Sequence, residues 1–110
     1  MKIEIKLSND QIMAICKLLD LLEHLTPTTK PEDKLIRSIA FEVWDKFQTI
    51  KKKLVKSHDL FDSKKKKVTL KYYEAYGLLK IIRETIPLIY DQYNHAILCK
   101  LSNELDQKLS

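Results

Sequence analysis

The chain has 110 residues, 45% apolar and 32% charged, with one glycine, three prolines and a formal net charge of +5. That is enough chain for one domain with a real core and too little for two, and the apolar content excludes a disordered chain. No apolar stretch approaches the roughly 20 residues that cross a bilayer, and the opening MKIEIKLS has Glu4 where a signal peptide needs an apolar run.

Ile3, Ile5 and Leu7 alternate with Lys2, Glu4 and Lys6, a period of two that predicts a strand with one buried face. Ser8 and Gln11 stand at capping-box spacing, with Leu7 and Ile12 placed for a hydrophobic staple. A first helix is predicted from about residue 9 to about residue 25. Its inner stripe is Ile12, Ile15, Cys16, Leu19 and Leu22, and Lys17, Asp20 and His24 mark its wet side. Met13, Leu18, Leu21 and Leu25 lie off that stripe, so this helix is either central or touches another subunit.

After TPTTK, Thr29 and Glu32 form another capping-box pattern with Pro31 in the first turn. The second helix is predicted from about residue 30 to about residue 57, carrying Ile36, Ile39, Ala40, Val43, Trp44, Phe47, Ile50 and Leu54 inward. Trp44 and Phe47 are expected to be largely buried. The loop SHDLFDSKKK leads to a second strand, Lys67 to Leu70, and a third helix from about Lys71 with Tyr72, Ala75, Leu78, Leu79, Ile82 and Ile86 inside. Pro87 either kinks one long helix or, as favoured here, opens a fourth helix capped by Thr85. Its inner stripe is then Tyr90, Tyr93, Ile97, Leu101 and Leu105.

The halves resemble each other. At a shift of 63, Ile5 meets Val68, Leu7 meets Leu70, Gln11 meets Glu74, Ala14 meets Gly77, and Leu18-Leu19 meets Ile81-Ile82. Two strand-helix-helix units, about 1–57 and about 66–110, predict a mainly α single domain: a four-helix bundle with pseudo-two-fold symmetry and two short strands that pair.

Catalytic signatures are missing. A phosphate loop needs several glycines, and Gly77 is alone within a helix. His24, His58 and His95 have no paired metal spacing, and Cys16 and Cys99 form no CxxC. Asp91 and His95, four apart on one helix face, could orient an imidazole or hold half a metal site, but an ordinary surface pair is the favoured reading. Cys16 falls on the core stripe, and nothing activates Cys99. No catalytic residue, metal ligand or cofactor is assigned, and the chain is expected to be non-enzymatic. Two thiols and no secretion signal lead to the expectation of a cytoplasmic protein.

Charge is uneven. Residues 51–71 hold nine lysines against Asp59 and Asp62, a net +7, while the remainder carries 11 basic and 13 acidic side chains. Lys51, Lys52, Lys53, Lys56, Lys64, Lys65, Lys66 and Lys67 are candidate nucleic-acid contacts through phosphate. Arg37 and Arg83 lie outside the segment, so base-specific readout has no support. Lysines at a helix C-terminus and a strand start also have ordinary roles, favouring the dipole and discouraging aggregation. All five tyrosines, Tyr72, Tyr73, Tyr76, Tyr90 and Tyr93, are close in sequence and form a candidate partner surface. The leading expectation is a helical protein-interaction or assembly module, a homodimer through helix faces. The alternative is an accessory nucleic-acid binder using the lysine-rich segment. No membrane role is expected.

Overall fold

In the computed structural model, which describes residues 2–56 and 65–110, the chain is a four-helix domain with one antiparallel two-stranded sheet. Strand β1 (Lys2–Leu7) enters helix α1 (Asn9–Leu19), and α2 (Pro31–Lys56) is the longest helix. Strand β2 (Lys66–Lys71) enters α3 (Tyr72–Thr85), and α4 (Gln92–Leu109) closes the bundle. Helix α2 packs on α1 and α3, and α4 packs on the same two helices. The sheet lays Ile3, Ile5, Leu7, Val68 and Leu70 onto the core, so helices support a ribbon that would be marginal alone.

Both strands turn into their helices by the same device. The Ser8 N–H donates to Gln11 Oε1 at 2.9 Å, and the Lys71 N–H donates to Glu74 Oε1 at 2.8 Å. These are the aligned positions of the two halves. The register is also symmetric under the shift of 63: Ile5 faces Val68, its own counterpart, and Ile3 faces Leu70. The symmetric register does not by itself establish a duplication.

Several expectations need correction. Helix α1 ends at Leu19 and continues only as a 3-10 turn, Asp20–His24. Leu18 is fully buried, so α1 is apolar on several faces because it is central. The Thr29 capping box does not form; Thr28 accepts from the Lys30 N–H and donates to Asp33. Phe47 is fully buried, but Trp44 is only partly so. The indole N–H of Trp44 needs an acceptor, and Asp20 Oδ1 supplies one at 2.9 Å at the edge of the core.

The chain does turn at Pro87, within a 3-10 turn, Ile86–Leu88. Thr85 caps nothing: it is buried, and its hydroxyl donates back to Ile81 O. The cap of α4 is Asp91, whose carboxylate accepts from the Tyr93 N–H. The buried residues of α4 are Leu98, Leu101, Ser102 and Leu105, with Ile97 packed against the core, so Ile97, Leu101 and Leu105 lie inside as expected. Tyr90 precedes the helix, Tyr93 points outward from its first turn, and Tyr72 is exposed rather than inside α3. Gly77 has a packing role, since a Cβ there would run into Ile39 Cγ2 where α3 crosses α2.

Candidate nucleic-acid interface

Strand alternation puts Lys2, Glu4 and Lys6 of β1, and Lys67, Thr69 and Lys71 of β2, on the face of the sheet away from the core. The register makes two of the three cross-strand rows like-charged: Lys2 lies opposite Lys71, and Lys6 opposite Lys67. Four lysines against one glutamate leave this small face at +3. Glu4 is engaged diagonally, its carboxylate 3.1 Å from Lys67 Nζ. Like charges directly opposite one another destabilise a sheet. Two such rows on a two-stranded ribbon break a local rule of stability, and rule-breaking of that kind collects at functional sites.

Further lysines flank both ends. Beside the Lys2–Lys71 row, Lys46 reaches over from α2 and donates to Thr69 O at 2.6 Å, with the buried Glu74 carboxylate 3.5 Å away. Lys2, Lys46, Thr69 and Lys71 line a cleft of about 280 Å³. At the other end, Lys6, Lys65, Lys67 and Lys108, with Glu4 and Glu104, line a cleft of about 630 Å³. The two lysine rows are four residues apart, about 13 Å along the strands. The ribbon is therefore the middle of a cationic track.

The lysine-rich segment of the sequence is not one surface. Lys67 lies on the ribbon face and Lys65 beside it, whereas Lys66 is half-buried on the inner side, opposite Leu7. Lys52, Lys53 and Lys56 are exposed on the last turns of α2, and Lys51 is half-buried in a groove with Asp20, Met13 and Tyr93. Lys64 lies outside the described residues. The lysines that complete the track, Lys2, Lys6, Lys46 and Lys108, come from distant parts of the chain. A signal for Lys2 and Lys6 was present in the β1 alternation; Lys46 and Lys108 had none.

The tyrosines separate as well. Tyr72 donates to Leu109 O beside the end of α4, Tyr73 donates to Glu42 of α2, and Tyr93 donates to Asp10 of α1 at 2.8 Å. That bond to the Asp10 carboxylate, then its charge, raises the Tyr93 pKa. Tyr90 is almost wholly exposed. Tyr73 and Tyr76 each have a lysine ammonium over the ring: Lys71 Nζ lies 5.8 Å from the Tyr73 centroid, and Lys80 Nζ 5.4 Å from that of Tyr76.

Burial pushes the Cys16 thiol up, a nearby Lys51 works against that, and Asp20 adds to it; the thiol donates to Phe47 O. Cys99 Sγ lies 3.6 Å from His95 Nδ1 one helical turn away. Asp91 does not orient His95 through its side chain, because its carboxylate is held by the Tyr93 N–H and the Asn94 amide. Among the described residues no group of three or more His, Cys, Asp or Glu side chains is arranged to hold a metal ion, and no helix is long and apolar enough to cross a membrane. Compared with known proteins, the chain matches no family model, no curated protein and no solved structure.

Proposed function

We propose that this protein is an accessory nucleic-acid-binding module that holds a phosphate backbone on the exposed face of its β-ribbon. The observation that carries this is the pair of like-charged rows, Lys2 opposite Lys71 and Lys6 opposite Lys67. Each row is unfavourable in the free protein and becomes favourable when a polyanion lies across it. Lysine supplies point charges without the fork that reads guanine edges, so binding is independent of sequence. The role is that of a binder, with no catalytic residue and no cofactor.

The test is the salt dependence of binding to a labelled oligonucleotide by fluorescence anisotropy. Four lysine–phosphate contacts predict a slope of log K against log salt of roughly −3 to −4, hence a loss of about 100-fold between 50 and 200 mM salt. Undetectable binding at the lower salt, or a slope near zero, contradicts the proposal.

A role in protein assembly, including a homodimer, is favoured by a different observation. Leu88, Tyr90 and Tyr93 stand 49%, 92% and 61% exposed around the α3–α4 turn. That knuckle is one apolar surface open to a partner, and Tyr93 continues it onto Met13 and Ala14 of α1. The ribbon face cannot form such a two-fold contact, because like charges would meet across the axis. Light scattering separates the roles: assembly predicts a dimer mass without nucleic acid, and the binding module predicts a mass that grows only when nucleic acid is added.

A further inference from the structure

We infer that the nucleic acid held on the ribbon is single-stranded, and that Tyr73, with Tyr76 beyond it, is the platform on which its bases stack. This rests on the phosphate-binding role proposed for the ribbon. The two residues are 43% and 41% exposed in the first turns of α3, which follows β2 directly. Lys71, whose ammonium lies by the Tyr73 ring, belongs to the ribbon face and to the Lys2–Lys46–Thr69 cleft. The cationic track and the Tyr73 ring are thus continuous.

Tyr76 follows three residues later, about 4.5 Å further along the helix axis, with Lys80 by its ring. A half-exposed ring with an ammonium over one face leaves its other face for a base and supplies a charge for the neighbouring phosphate. Aromatic rings along a basic groove are how single strands are held without sequence preference. Bases stacked inside a duplex cannot reach such rings. Tyr76 and Lys80 themselves line a groove with Glu32, Asp33 and Glu84, whose carboxylates repel phosphate, so the path ends there.

The experiment titrates the intact protein with a thymidine oligomer of about 20 nucleotides and with a duplex of equal length, for the parent and for Tyr73→Ala and Tyr73→Phe. Tyr73→Ala is expected to weaken single-strand binding by about 5- to 150-fold, to leave the salt slope unchanged, and to leave duplex binding unaffected. Tyr73→Phe keeps the ring and restores binding, which also excludes a loss through the Glu42 hydrogen bond. Duplex bound as tightly as single strand, or an unaltered Tyr73→Ala, overturns this inference and leaves the ribbon role standing. No binding to either form overturns both. Circular dichroism of each variant confirms that the half-exposed substitution leaves the fold intact; if Tyr73→Ala fails to fold, the Tyr76→Ala variant is titrated in its place, with the same two outcomes.

Discussion

Phe47→Ala is expected to lower the stability of the domain by about 3–5 kcal/mol, read as a shift of the urea midpoint without a change in slope. Among the described residues Phe47 is the largest fully buried side chain, on the face of α2 that meets α1, where its carbonyl also accepts from Cys16. Removing the ring leaves a cavity among Leu and Ile side chains that cannot collapse onto it. Trp44→Ala, three residues earlier, is expected to cost less, about 1–3 kcal/mol, for partial burial and one hydrogen bond to Asp20. The order of the two losses is the check. If Trp44→Ala is the more damaging, the inner face of α2 is misassigned.

The double variant Lys6→Glu/Lys71→Glu is expected to move stability and binding in opposite directions. Each substitution turns a like-charged cross-strand row into an attractive one, so the fold gains about 0.2–1 kcal/mol per row at low salt, and less as salt screens these exposed charges. The same change takes the ribbon face from +3 to −1. Nucleic-acid affinity at low salt should then fall on the order of 100-fold, with the salt slope reduced by about two.

The helices, strands and most of the core were legible in the sequence because their signals are local. Alternation at Ile3, Ile5 and Leu7, the Ser8–Gln11 cap, and three- and four-residue steps along α2 each involve neighbours in the chain. The misreadings came where a tertiary partner decided the outcome. Trp44 was drawn to the edge of the core by Asp20, 24 residues away. Ile97, Leu101 and Leu105 of α4 lie inside as expected, but Tyr90 precedes the helix and Tyr93 sits in its exposed first turn, because the cap is Asp91 and not Thr85. The candidate site was half legible for the same reason. Lys67 and Lys71 announced themselves as charge in a run, but the row partners Lys2 and Lys6 are defined only by the register of two strands about 60 residues apart. A charge run marks where lysines are dense along the chain; it does not say which of them share a face. Proximity in sequence likewise grouped five tyrosines that the helices distribute around the bundle.

The most direct test of the cationic ribbon is a low-salt anisotropy titration of the parent and of Lys6→Glu/Lys71→Glu with the same labelled thymidine oligomer, each protein's melting temperature being recorded on the same preparation. A double variant that melts at or above the parent temperature and binds on the order of 100-fold more weakly is the predicted result. A stable double variant that binds as tightly as the parent contradicts it.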